Sequence, residues 1–158
     1  NMIKDQREGL PPLPLVGDAK RGPEGYLTYL LRQANASVRL ALDRALAEEN
    51  MTYPQQSALT MIRAYEAISA ADLARLTMLT PQTVSVIIAN LERMGAVVRR
   101  PHEVHGRIQH LDLSVKGRAL LAKCRGRAHA IEKELVAGLG AGEEQAIRRW
   151  LVGVATAR

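Results

Sequence analysis

Nine cationic side chains crowd one stretch of this sequence, and they are its first candidates for chemistry. Arg93, Arg99, Arg100, Arg107, Lys116, Arg118, Lys123, Arg125 and Arg127 lie within 35 residues, opposed there by Glu103 and Asp112 alone. The stretch sums to +7 while the whole chain sums to +6, so the positive charge is local. Clustered cations suit a polyanion, because neutralising phosphates releases condensed counterions. Immediately upstream, Thr80 and Pro81 open a segment carrying Gln82, Thr83, Ser85, Val86, Asn90 and Arg93. A threonine at a helix start suits a phosphate. Gln82 suits a bidentate pair with adenine, and Thr83 or Val86 suits a thymine methyl. Any one of these residues reads equally well as ordinary polar surface. Together they point to the edge of a DNA duplex.

Other chemistries find less support. The motifs G-x-x-x-x-G-K, G-x-G-x-x-G, G-x-S-x-G and H-E-x-x-H are all missing, and Glu48-Glu49 and Glu143-Glu144 read as helix-end charges, so no enzyme is expected. His102, His105, His110 and His129 have no cysteine or carboxylate beside them at a zinc spacing, so no metal and no cofactor are expected. The single cysteine, Cys124, excludes a disulfide within the chain and reads as a small hydrophobe. Aromatics are 3% with no phenylalanine, too few for base-stacking platforms. No run reaches the roughly 18 apolar residues of a membrane span. Asn1 before Met2 is read as an expression remnant. The start of the chain lacks a secretory core, and the expected compartment is a reducing cytoplasm.

Residues 1–23, rich in Pro and Gly, read as an extended arm. Residues 24–49 read as a long helix with Leu27, Leu31, Ala34, Val38, Ala41 and Ala45 on one stripe, spanning roughly 39 Å. A second helix with Pro54 in its first turn carries Leu59, Met61 and Ile62 and ends near Tyr65. Ser69 caps a short third helix whose Leu73 and Leu76 are expected to point inward. Thr80-Pro81 starts a fourth, with Val84, Ile87, Ile88 and Leu91 on its buried side and Gly95 beyond its end. Two β-like runs, 96–100 and 107–113, flank a turn bracketed by Pro101 and Gly106 and form a hairpin. A helix-turn-helix followed directly by a basic β-hairpin is a winged helix. Arg99, Arg100 and Arg107, with His105 between them, place cations beside a tip able to enter a minor groove. Ser114 caps a further helix with Leu121, Cys124, Ala128, Ile131 and Leu135 at heptad-like steps. Glycines at 138, 140 and 142 break the chain before a last helix carrying Ile147, Trp150, Leu151 and Val154.

The fold class is therefore α+β and mainly helical: a winged helix-turn-helix lobe with further helices on either side. The segments SAADLARLTMLTPQTVSVIIANLERMGAVVRR and RIQHLDLSVKGRALL resemble the MarR family of bacterial transcriptional regulators, over about residues 26–151. Leu113-Ser114-Val115-Lys116-Gly117 is similar to the family's L-T-x-x-G start of its fifth helix. Two positions depart from the pattern. His105-Gly106-Arg107 stands where the family's wing commonly carries Asp-x-Arg, and Val86 where its recognition helix often has arginine. Both imply a different base preference or more reliance on groove shape.

The resemblance implies a homodimer with interlocked first and last helices. Leu27, Leu31, Leu121, Cys124, Ile131, Leu135, Ile147, Trp150 and Leu151 are then the expected interface, with residues 24–49 and 115–158 dimerising and 53–113 binding double-stranded DNA. It also implies a pocket for a small, often aromatic effector, for which Tyr29, Tyr53 and Tyr65 are candidates. The expected function is a sequence-specific regulator, in the family's more frequent mode a repressor, acting at a pseudo-palindromic operator. A non-specific DNA-bending protein and a protein-interaction winged helix are the alternatives.

Overall fold

The computed structural model describes residues 22–101 and 109–157. They fold as six helices and one two-stranded sheet. The chain divides into two units, Asn1–Leu40 and Ala41–Arg158, and the arm expected over 1–23 lies, up to residue 21, outside the described residues. In the first unit, a 3-10 turn at Gly22–Glu24 precedes the start of α1 (Leu27–Leu46). The long helix expected over 24–49 is thus a 20-residue helix flanked by two 3-10 turns, the second at Ala47–Glu49. At 1.5 Å per residue α1 spans about 30 Å, less than the 39 Å expected.

The second unit holds the core. Residues α2 (Tyr53–Ala64), α3 (Ala70–Thr77) and α4 (Pro81–Arg93) form its helical layer. Starts are set locally. The Thr52 N–H donates to the Gln55 side chain at 2.9 Å. Ser69 and Asp72 cap each other at α3, with Asp72 N–H donating to Ser69 Oγ at 3.1 Å and Ser69 Oγ–H donating to Asp72 Oδ2 at 2.7 Å. These bonds hold the Asp72 carboxyl below the usual carboxylate range, the Ser69 hydroxyl contributing most. Ala74 lies inward beside Leu73, whereas Leu76, expected inward, is exposed. Met78 ends α3 in the left-handed conformation with φ 54°, and Gly95 does the same after α4 with φ 71°.

Strands β1 (Val97–Pro101) and β2 (Gln109–Leu113) pair antiparallel, Val97 opposite Leu113 and Arg100 opposite His110. A bridge from Ser69 to His110 adds a short third member, where Leu111 N–H donates to the Ile68 carbonyl at 2.8 Å. Leu111 and Leu113 turn inward from β2 onto Ile68, Ile62 and Leu121 in one core cluster. The hairpin's base is thereby fastened to the junction of α2 and α3. Helix α5 (Val115–Val136) begins at Ser114, whose hydroxyl accepts from Gly117 N–H at 2.9 Å. Helix α6 (Ala141–Thr156) follows.

Candidate nucleic-acid interface

Helix α4 is divided cleanly. Val84, Ile87, Ile88 and Leu91 are buried, as their spacing predicts, and Ile88 and Leu91 are wholly enclosed. Pro81, Gln82, Thr83, Ser85, Val86, Ala89 and Arg93 are exposed on the other side, and Asn90 is half-buried. Burial of the apolar face contributes several kcal/mol and fixes the helix rotation. The outward residues therefore face solvent as a fixed set. Thr80 accepts from Thr83 N–H at 3.1 Å, so the N-terminus is capped by its own chain.

The wing's base is as well anchored. Arg99 donates to Glu92 of α4, through Nε at 2.8 Å and a second nitrogen at 3.4 Å. Arg100 pairs with Asp112 across the hairpin at 3.0 Å, and Arg118 of α5 reaches the same carboxylate at 3.7 Å. Arg99 and Arg100, expected as wing contacts, thus sit at the hairpin's root with partners of their own. His105 and Arg107 lie outside the described residues. On α5, Arg127 pairs with Glu48 at 2.6 Å and Lys123 with Glu49 at 3.8 Å. Among the described residues of the basic stretch, Arg93, Lys116 and Arg125 hold no ion pair.

One expectation needs correction. Leu121 and Cys124, assigned to a subunit interface, belong to this chain's own core, at 4% and 0% exposure. They pack in the cluster with Leu59, Ile62 and Leu113, so a partner cannot reach them. Burial pushes the Cys124 thiol up, and the neighbouring Glu49 adds to this. By contrast Leu135 of α5 and Ile147, Trp150, Leu151 and Val154 of α6 are exposed, an apolar face left uncovered among the described residues. Leu27 is exposed and Leu31 half-buried.

Tyr53 begins α2 and Tyr65 ends it, about 18 Å apart along the axis. Tyr29 accepts from Gln33 at 2.7 Å within α1. A cavity of about 480 Å³ lies between α2 and α5, lined by Gln56, Thr60, Arg63, Ala64, Leu121, Ala122 and Arg125. Arg63 and Arg125 bring two guanidinium groups to a partly apolar floor. The sequence reading counts Arg125 among the clustered cations but does not single out Arg63, a polar residue on an amphipathic helix.

A buried-face recognition helix, a tight turn before it and a hairpin after it define a winged helix-turn-helix DNA-binding protein. The MarR family model matches residues 49–108. The HTH-type transcriptional repressor Rv2887 of Mycobacterium tuberculosis is 31% identical over 136 residues, covering 86% of this chain and 96% of that protein. The chain therefore belongs to the MarR family. A crystal structure of the M. tuberculosis protein with salicylic acid aligns at 30% identity and a TM-score of 0.66, over 83% of this chain and 97% of that one. The S. aureus MepR–DNA complex shares the fold at a TM-score of 0.79 and 23% identity, over 85% of this chain and 100% of that one.

Proposed function

We propose that this protein is a dimeric, sequence-specific transcriptional repressor whose DNA affinity is set by a small aromatic carboxylate. The observation that carries the reading is helix α4: all four periodic apolar residues are buried, and seven residues of the opposite side stand in solvent beside an anchored hairpin. In the proposal Gln82, Thr83, Ser85, Val86, Asn90 and Arg93 enter the major groove, while Thr80 and the helix start meet phosphate. Arg107 and His105 contact a flanking minor groove, with Arg99 and Arg100 at the root of the wing. Residues 53–113 are the DNA-binding part. Helices over 24–49 and 115–158 dimerise, using the uncovered face of Leu135, Ile147, Trp150 and Leu151 together with Leu27, Leu31 and Ile131. Two lobes then demand half-sites about 34–36 Å apart.

The effector site in this proposal is the cavity between α2 and α5. A carboxylate pairs with Arg63 or Arg125 and a ring rests on Ala64, Leu121 and Ala122. The relative's structures with salicylic acid and p-aminosalicylic acid support this ligand class. An effector shifts DNA affinity only by its differential affinity for the two states. Selection from a random duplex pool at near-physiological salt tests the reading. Enrichment of an inverted repeat, released by salicylate, is the expected result. Retained binding without enrichment points to the architectural alternative, and no binding overturns the reading. Arg107→Ala is expected to lower the slope of log K against log salt by about 1.

A further inference from the structure

The outward face of α4 is less polar than its composition suggests. Ser85 spends its hydroxyl proton on the Pro81 carbonyl at 2.9 Å. The hydroxyls of Thr80 and Thr83 lie 2.9 Å apart and share one bond, and the Thr83 N–H takes a further lone pair of Thr80. Three hydroxyl groups of the first two turns are thus engaged within the helix. Gln82 remains as the long polar group of this end. One turn on, Val86 stands 59% exposed, although an apolar β-branched side chain has nothing to gain from water there. No charge flanks it on its own turn, since its neighbours on the helix surface are Gln82, Thr83, Ala89 and Asn90.

We propose that Val86 is a specificity-determining residue that reads the 5-methyl group of a thymine in the major groove, next to a base pair contacted by Gln82. The inference rests on the DNA-binding reading above and deepens it by naming what the site selects. In the major groove the thymine methyl is the one apolar feature a base edge offers. An isopropyl group facing a duplex there gains by burying against it. It loses by facing an amino group or a carbonyl that it strips of water. Four helical residues advance about 6 Å, within roughly two base steps of 3.4 Å. A Gln82 contact and a Val86 contact therefore fall within about two base pairs of each other, each on an A·T pair.

Replacing thymine by deoxyuridine removes the methyl and leaves every hydrogen-bonding group in place. The test takes the selected operator, replaces its thymines one at a time in each half-site, and measures affinity for the wild-type protein and for Val86→Ala. One thymine per half-site is expected to cost the wild type about fourfold in affinity, and both together about fifteenfold. The same replacements are expected to leave Val86→Ala unchanged, closing a double-mutant cycle on this one contact. Val86 is exposed and alanine favours helix, so the variant keeps its fold, checked by an unaltered melting curve. A flat deoxyuridine scan, or one whose sensitive position persists in Val86→Ala, overturns the assignment while the function stands. Wild-type protein with no sequence-selective binding overturns the function itself, and this assignment with it.

Discussion

Gly117 stands against the backbone of the hairpin, and adding one methyl there has a calculable cost. A Cβ at this position would lie 2.0 Å from the Ala96 carbonyl oxygen and 2.9 Å from its carbon. Real Cβ atoms stay beyond 3.0 Å, so the Ala96 peptide must retreat by about 1 Å. Both peptides of Ala96 are pinned. Its N–H donates to Leu91 at 2.8 Å and its carbonyl accepts from Ser114 N–H at 3.1 Å, while the Ser114 hydroxyl proton goes to the Gly95 carbonyl at 2.6 Å. Moving the carbonyl stretches the Ser114 N–H bond past its limit, at about 1 kcal/mol, and adds an overpacking cost of about 1–3 kcal/mol. Alanine returns about 1 kcal/mol in helix propensity. Gly117→Ala should thus lose about 2 kcal/mol, lowering the melting temperature by about 4–8 °C. Circular dichroism melts at one fixed protein concentration measure this, since a dimer's stability depends on concentration. Gly126→Ala is the control on the same helix. Its added Cβ meets nothing within 4 Å, so it should raise stability by about 0.5–1 kcal/mol. A Gly117→Ala melt within 2 °C of wild type, or a fall in both variants, would refute the steric argument.

Four further outcomes follow from the same geometry. Leu151→Asp puts a carboxylate on the uncovered face of α6 and should yield a monomer by sedimentation velocity; a dimer at micromolar concentration places the interface elsewhere. Arg125→Ala should weaken by at least tenfold the salicylate concentration dependence of operator release, with DNA affinity retained; unchanged release removes the α2–α5 cavity from the proposal. Asp72→Ala should lower the urea midpoint at pH 7. Because the folded carboxyl sits below its unfolded value, its contribution is present above about pH 4 and fades as pH falls through the folded value; an equal deficit at pH 7 and pH 3 contradicts the linkage. The Cys124 thiol should react with a chromogenic disulfide reagent only on unfolding, and rapid native labelling would show that the site opens.

Helix α4 was legible in the sequence because every signal there is local. Thr80-Pro81 sets the start, Gly95 the stop, and the steps between Val84 and Leu91 define a single face. Leu76 is exposed against its spacing because α3 has only eight residues, and two turns do not distinguish neighbouring choices of face. The Ile68–Ser69 bridge to β2 has no alternation to betray it, being too short to show a period. The α5 seam shows the deeper reason. Its spacing runs on evenly from Leu121 to Leu135, yet Leu121 and Cys124 are enclosed by α2 and β2, Ala128 and Ile131 are half-buried, and Leu135 is exposed. Periodicity specifies which side of a helix is apolar. What covers that side is decided by chain segments dozens of residues away.

Charge obeys the same rule. Counting cations places +7 between Arg93 and Arg127 and suggests a broad phosphate-binding surface. The structure returns five of the nine to carboxylates of this chain: Arg99 to Glu92, Arg100 and Arg118 to Asp112, Lys123 and Arg127 to Glu48 and Glu49. The last of these partners lie almost eighty residues earlier, where no local reading connects them. Exposed pairs of this kind contribute at most about 1 kcal/mol to stability, so holding the fold together is a minor part of their effect. Their larger consequence is geometric. The Arg99 pair ties the first wing strand to α4, and the shared Asp112 ties that strand to α5. Five of the nine cations are therefore better understood as ties between elements of this chain, α4 to the wing, the wing to α5 and α5 to the 47–49 turn, than as a continuous surface for phosphates, leaving phosphate contact to fewer cations than the sequence count implies.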